Sequence, residues 1–499
     1  MHKDLWRGRL KDNKIDSKIK QYISSIEDDK RIIEIDIDVA ESHCLMLYKQ
    51  GYITKKEIKL ILTGFENARK QWQEGKLKLD TENFNDIHPA IEKYIIDMTD
   101  IEVGGKIHSA KSRNDQVCAD IRISARNDII KIIDMVISFN ETLIKISQSH
   151  IDTVMACYTH LQSAQTTSFA HYLLSYVDVL NRDIEKLFEI YSRINLNPLG
   201  AGALAGSSLK IDRYYTSKLL GFDGIIENTI DAVSNRDFML ELGCELGNIM
   251  VTLSRIAEDL IIWSTPEFNI VALDDKVVDI STAMPQKKNP DPLELLRGKT
   301  STVIGLVNQL FIIGKGLPTG YNRDLQETKI SLWKIIDITV SSLDIIKTVF
   351  ETLTINKERM KELVIRNYVL ATDLVEYLIL KKNISFRQAN YLVGNIVRKM
   401  VSGLIYLKDI TPDTIERISL ESIGKKIILT KDEINKVFDP YESITRKTNI
   451  GSPSPEEVKR MINTRKQVLN NNNKKLTELR VRLKNSHKLL TSTINELVR

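Results

Sequence analysis

Cysteine is scarce in this chain: Cys44, Cys118, Cys157 and Cys244 are the only four in 499 residues, and no two form a C-x-x-C pair. That excludes a disulfide-built scaffold and a cysteine-zinc site, and it suits a reducing cytoplasm. Proline (11) and glycine (22) are few, and aromatics make only 6% of the residues. The balance tilts away from many short strands joined by turns and toward long helices. Neither sign of charge dominates: 71 Lys+Arg against 66 Asp+Glu leave +5. A nucleic-acid coat or a polybasic membrane anchor would need more. Long apolar runs are missing too. Met1-His2-Lys3-Asp4 opens no apolar segment, so no secretory signal is expected. The longest stretch free of Asp, Glu, Lys and Arg, Thr153–Val177, holds His160, Gln162, Gln165 and several hydroxyls, which disqualifies it as a membrane span. An uncharged yet polar stretch of that length is a place to look for a site.

What is present is ordinary for a globular chain, 42% hydrophobic and 27% charged, and the length favours two to four domains. Residues 1–110 carry turn signals and short helical patterns. Beyond them apolar residues recur three and four apart at Phe169, Leu173, Val177, Leu180, Ile184, Leu187 and Tyr191, and again from Phe238 to Leu260. Those are helix periods. Arg236–Trp263 as one helix would span roughly 42 Å at about 1.5 Å per residue. Ile121–Ile146 and Ile330–Leu353 are further long candidates. Many of their apolar residues lie off any single face, as expected of a bundle interior or a subunit interface. The middle third therefore reads as a bundle of long helices that forms a homo-oligomer. After about Asn356 the patterns shorten, and the tail from Asn470 reads as a solvated terminal helix.

Between the helices lie segments of different texture. Gly200–Ala205 fits G-x-G-x-x-A, but a helical pattern precedes it where a dinucleotide site needs a strand; a tight glycine corner is the better reading. No phosphate-binding loop and no H-E-x-x-H occurs, and Asp86 and His88 lack helical ligand spacing, so no metal and no cofactor is expected. Cys157 near His160 reads as a small buried cysteine. Ser281–Asp291 has two prolines and two mid-loop lysines, and Asp291 then starts a helix with Pro292 at its first position and Glu294 closing a capping box. Taken alone it could be a connecting loop with a capped helix behind it. Arg113-Asn114-Asp115-Gln116 offers a guanidinium and two amides suited to carboxylates, or simply a solvated helix start. His160 among Tyr158, Thr159, Gln162 and Gln165 leans catalytic, although a lone histidine is more often a satisfied core residue. Tyr321–Lys329 is a fourth polar knot. Together the four suggest one composite cleft for a small, multiply anionic ligand.

Ser281–Asp291 resembles the signature loop of the fumarase/aspartase superfamily, G-S-S-x-M-P-x-K-x-N, in the Gln-Lys-Lys-Asn form of argininosuccinate lyases and delta-crystallins. His108–Val117 is similar to that family's H-T-G-R-S-R-N-D-Q-V. Leu5–Arg9, Asp86–His88, Tyr158–Gln162, Gly200–Gly206, Asp231–Ser234, Tyr321–Lys329 and Ala371–Leu374 match as well, end to end and in order. The resemblance implies an all-α fold in three domains (1–111, 112–356 and 357–499), a central long-helix bundle that assembles a homotetramer, and active sites shared between chains. It implies reversible cleavage of argininosuccinate to arginine and fumarate, with no cofactor, in the cytoplasm, without nucleic acid or membrane.

The family's roles carry over residue by residue. Ser281 would be the general base, with loop donors and nearby cations lowering its pKa. Lys287 and Asn289 would stabilise the doubly charged aci-carboxylate. Thr159 and His160 would sit at the leaving guanidinium, protonating it directly or through water, with Glu294 holding His160. Ser25, Asp86, Arg113, Asn114, Tyr321, Gln326 and Lys329 would bind substrate. Ile280 stands where the family has glycine and Thr282 where it has serine, which should stiffen a loop expected to be mobile. Arg7, Lys111 and Thr166 replace a usual glycine, arginine and proline. Two rivals are a catalytically silent delta-crystallin-like structural protein, which the retained Ser281, Lys287, His160 and Arg113 oppose, and a sister lyase acting on adenylosuccinate, which the Arg113–Gln116 motif opposes.

Overall fold

The structure is a computed structural model describing residues 15–79 and 83–499; the Leu5–Arg9 motif and Arg7 lie outside them. The N-terminal part is built from α1 (Ser17–Ile23), α2 (Ile26–Asp29), α3 (Ile33–Lys49), α4 (Lys55–Gln73), α5 (Ile87–Met98) and α6 (Ile101–Gly104). Then α7 (Arg113–Ser149) runs for 37 residues, roughly 55 Å at about 1.5 Å per residue. A hairpin of β1 (Val154–Thr159) and β2 (Gln162–Ser168) leads into α8 (Phe169–Ile194). The next connection holds β3 (Leu196–Asn197), α9 (Arg213–Leu220), β4 (Gly224–Ile225) and α10 (Thr229–Ser234). The bundle continues with α11 (Asp237–Ser264), the two-residue strands β5 (Val271–Ala272), β6 (Asp279–Ile280) and β7 (Lys288–Asn289), then α12 (Asp291–Gly314) and α13 (Leu325–Thr352). Last come β8 (Thr354–Ile355), α14 (Lys357–Arg366), α15 (Ala371–Lys382), α16 (Phe386–Val401), α17 (Pro412–Ile423), α18 (Lys431–Val437), α19 (Pro440–Thr445) and α20 (Pro455–Val498). The fold class is all-α, as the long apolar periods predict.

The long helices alternate in direction, and this decides what can meet what. At one end, which we call the lower end, the start of α7 meets the connections α8–α11 and α12–α13. Asp115 accepts the Gly200 and Gly202 amides at 2.8 Å each, and Arg113 lies over the Tyr321 ring at 5.7 Å. At the upper end the start of α8 meets the end of α11, Phe169 facing Trp263 at 6.3 Å, and β5 pairs with β8. One continuous core of Ile, Leu, Val and Phe links the N-terminal helices, the bundle and α20. A separate apolar core joins α15–α18.

One element is unforeseen and two local expectations change. The uncharged stretch begins as an antiparallel hairpin, Val154 opposite Ser168; its β2 strand, Gln-Ser-Ala-Gln-Thr-Thr-Ser, carries no apolar alternation to signal a strand. Asp291 is the first residue of α12, whose N-cap is Pro290, so Glu294 closes no capping box: proline has neither a capping side chain nor an N–H to return. The tail is helical and mostly exposed, as expected, but it is not separate: it is the larger, later part of a 44-residue α20, and Leu476 and Leu490 are buried against the bundle.

Candidate active site

At the lower end one chain brings seven of the expected residues into a connected group. Ser25 donates its amide to the Asn85 carbonyl at 2.8 Å, and its hydroxyl to Asp29 at 2.7 Å. Asp29 in turn pairs with Lys329, one turn along α13 from Gln326, so the two project from one face. Asp86 is the N-cap of α5, taking the His88 amide on Oδ1 at 3.2 Å, while its Oδ2 accepts from Arg113 at 2.5 Å. Burial works against the Arg113 charge, but the Asp86 carboxylate more than offsets it and raises the guanidinium's pKa. Tyr321 lies under that guanidinium. Asn114 donates to the Ala203 carbonyl at 3.0 Å. Both cations thus already hold a carboxylate, which fixes their direction, and a guanidinium and an ammonium each keep further donors that can take a second anion.

The glycine corner explains how α7 starts here. Ser112 and Asp115 form a capping box, and the second Asp115 oxygen takes the two loop amides. Gly200 and Gly202 have φ of 91° and 64°, which lets both N–H groups turn toward one oxygen. A Cβ on Gly200 would sit 2.8 Å from Arg213 Cγ.

The other expected residues stand at the upper end. Thr159 and His160 occupy the tip of the β1–β2 hairpin, both exposed. His160 and Leu161 have φ of 54° and 57°, the two left-handed residues of a two-residue turn normally given to Asn-Gly. The hairpin is held from below: Tyr158 packs on Phe268 with ring centroids 5.6 Å apart, and Asn367 donates to Ser163 at 2.9 Å. Ser281 sits in a small loop closed by β6–β7, where Asp279 faces Asn289 and Ile280 faces Lys288. The Ser281 hydroxyl accepts the Met284 amide at 3.1 Å, the kind of loop donor a serine base needs. Lys288 pairs with Asp275, Lys287 is exposed, and Glu294 points to solvent on α12 rather than to His160 of its own chain.

The two groups cannot meet within one chain. The 24 residues of α12 hold the Ser281 loop roughly 36 Å from Tyr321 at about 1.5 Å per residue. The longer α7 likewise separates Arg113 from the hairpin.

Beneath the lower group lies a set of ionisable residues of which sequence reasoning named only His88, and that as part of a motif without ligand spacing. Asp36, His88 and Asp120 are fully or nearly buried, with donor atoms within 4.8 Å of one another. His88 Nδ1 is 2.8 Å from Asp36, so its ring serves a hydrogen bond. Burial pushes the Asp36 carboxyl up, yet the His88 charge and hydrogen bond, with Lys111 and the Gln116 amide, together outweigh it and the net direction is down. For His88 burial is again outweighed, and its pKa is raised. The available signal was Asp36 and Glu41 within the apolar period Ile33, Ile37, Ala40, Cys44, Leu47. A cavity of about 280 Å³ lined by Asp36, His88, Lys111, Arg113 and Gln116 adjoins them.

Comparison with known proteins converges. Residues 8–305 match a family model described as lyase, and residues 368–445 match one described as argininosuccinate lyase C-terminal. Argininosuccinate lyase of Methanosarcina barkeri is 37% identical over 492 residues, covering 99% of this chain and 98% of the relative. That of Nitrosopumilus maritimus is 39% identical over 495 residues, 99% of this chain and 100% of the relative. Among solved structures, an EDDS lyase in complex with formate aligns with a TM-score of 0.86 at 28% identity, covering 96% of this chain and 94% of that one. A fumarate lyase from Mesorhizobium shares the fold, with a TM-score of 0.71 at 17% identity over 90% of this chain and 98% of that one. With matched family models and relatives of this identity along its whole length, the chain belongs to the argininosuccinate lyase family.

Proposed function

We propose that this chain cleaves argininosuccinate reversibly to L-arginine and fumarate, the last step of arginine biosynthesis. The observation that carries the reading, beside the family, is the placement of two incomplete residue groups at opposite ends of one bundle. A homotetramer of antiparallel copies completes them: the lower group of one chain receives the Ser281 loop of a second and the His160 hairpin of a third. The exposed apolar residues Leu295, Ile304, Phe311 and Ile312 along α12 support such an interface. Three domains divided near Lys111 and Asn356 fit this plan, with α20 crossing back onto the bundle.

Within the shared site the chemistry follows the charges. Arg113, Asn114, Tyr321, Gln326 and Lys329, with Ser25, bind the carboxylates and amine of the substrate, and Asp86 aims Arg113. Ser281 removes the proton beside the carboxylate. Lys287 and Asn289 stabilise the aci-carboxylate that forms before the C–N bond breaks. Thr159 and His160, with Glu294 of a neighbouring copy, serve the leaving guanidinium. No described helix is long and apolar enough to cross a membrane, and the cytoplasm is the proposed location. Fumarate release from argininosuccinate, followed by ultraviolet absorbance, tests the reading. A folded tetramer yielding none sinks it, and a silent structural relative would then be the answer; cleavage of adenylosuccinate instead would indicate the sister lyase.

A further inference from the structure

Asp36 stands at a junction that none of the roles above uses. It lies on α3 with no exposure, and its Oδ1 accepts two hydrogen bonds, from His88 Nδ1 at 2.8 Å and from the Gln116 amide. His88 belongs to the first turn of α5, whose N-cap is Asp86. Gln116 belongs to the first turn of α7, which begins at Arg113. A single carboxylate oxygen therefore joins two helix starts whose terminal residues, Asp86 and Arg113, form the ion pair of the substrate-facing group. Its other oxygen, like both oxygens of Asp120, is buried without a protein hydrogen-bond partner. Two adjacent buried carboxylates do not both ionise. One proton on Asp120, donated to Asp36 Oδ2, gives that oxygen and one of the two Asp120 oxygens a partner and leaves a single negative charge to face the His88 ring. Burial and the Asp36 charge both push the Asp120 carboxyl up, in agreement with that count.

We propose that Asp36 is a positioning residue for Arg113: through His88 and Gln116 it locks the first turns of α5 and α7, and so sets the direction in which Arg113 meets a substrate carboxylate. The role rests on the lyase reading for its kinetic consequence, but its structural part stands apart from it. A buried apolar residue could fill the same space; only an anion holds the imidazolium and both turns at once. Neutral Asp120 supplies shape and one proton, so an amide in its place is nearly equivalent.

The test compares Asp36→Asn, Asp120→Asn and Arg113→Lys, singly and with Asp36→Asn and Arg113→Lys combined, in the full-length oligomer. For Asp36→Asn, the KM for argininosuccinate is expected to rise about tenfold or more, with kcat lowered by less than about threefold. That KM effect should shrink to about twofold or less when Arg113 is already lysine, because the two act as one unit. Hydrogen exchange in residues 86–91 and 113–117 should quicken in Asp36→Asn, while Asp120→Asn should leave exchange unaltered and both constants within about twofold of the parent. An unchanged KM, an equal KM effect in both Arg113 backgrounds, or unaltered exchange in those two turns overturns the proposal. If the parent chain releases no fumarate, the lyase reading fails instead, and the exchange comparison alone decides the anchor.

Discussion

His43 and His88 lie on neighbouring buried faces and respond to acid in opposite ways. His43 is 0% exposed, its Nε2 is 2.8 Å from the Ser109 carbonyl, and no anion among the described residues pairs with it. Burial, helped by the Lys111 charge, depresses its pKa to about 3. The unfolded chain binds that proton near the ordinary imidazole value and the folded one does not. Stability from His43 is therefore complete above pH ~6.5 and falls as pH drops toward ~3, by up to about 1.4 kcal/mol per unit. His88, raised by Asp36 against its burial, contributes stability present below the ordinary value and lost as pH rises through the folded one. His43→Gln, which can keep the bond to Ser109, should remove about 2–3 kcal/mol of the loss between pH ~6.5 and ~4.5. Urea unfolding at the two values measures it, and an unchanged pH slope would refute the assignment. Ser281→Ala should abolish fumarate release while leaving circular dichroism and solution mass unaltered. Normal turnover in that variant would mean another group is the base.

At the scale of elements, what could be read from the sequence depended on periodicity and capping. The apolar spacing from Phe169 to Tyr191 and from Phe238 to Leu260 predicts α8 and α11 to within a few residues, because those helices bury a broad stripe. The hairpin was hidden because its β2 strand buries its last residues, Thr166–Ser168, as hydroxyls, so no hydrophobic alternation marks it. The early part of α20 was hidden because it opens on Pro455, although proline is tolerated in a first helical turn. Most of the candidate site was legible as motifs, Ser281 and Arg113 foremost. Its pairing was not: Asp29 and Asp36 carry no motif, and the partners Lys329, His88 and Gln116 lie far along the chain. The glycine corner offers a test at this scale. Gly200→Ala must adopt a positive φ and push against Arg213, so it should cost about 1–2 kcal/mol. It should also raise KM, because the corner holds Asp115 and receives Asn114. A thermal melt unchanged within error would show that the corner relaxes freely.

The molecule as a whole places its two candidate groups at the two ends of a rod, and on the proposed assembly one defect at each end need not fall in the same site. Mixing Ser281→Ala chains with Arg113→Ala chains, then unfolding and refolding them together, should restore activity that neither has alone. Random assembly leaves up to about a quarter of sites with both residues intact. No recovery, in tetramers shown to be mixed, would place both residues in one chain's site. The broad apolar faces that pointed to an oligomer in the sequence are, on this view, the same surfaces that bring the ends together. α20 has a consequence of a different kind. Its Arg465 pairs with Asp178 across 287 residues, and its Leu469, Leu476 and Leu490 belong to the core that α7 and α8 begin. At a ribosome's pace of about 5–20 residues per second, that side of the nascent bundle waits roughly 15–60 seconds for its cover. During synthesis the growing chain shows a greasy flank the finished protein never displays, and its yield in a cell should depend on what shields that flank until the last helix arrives.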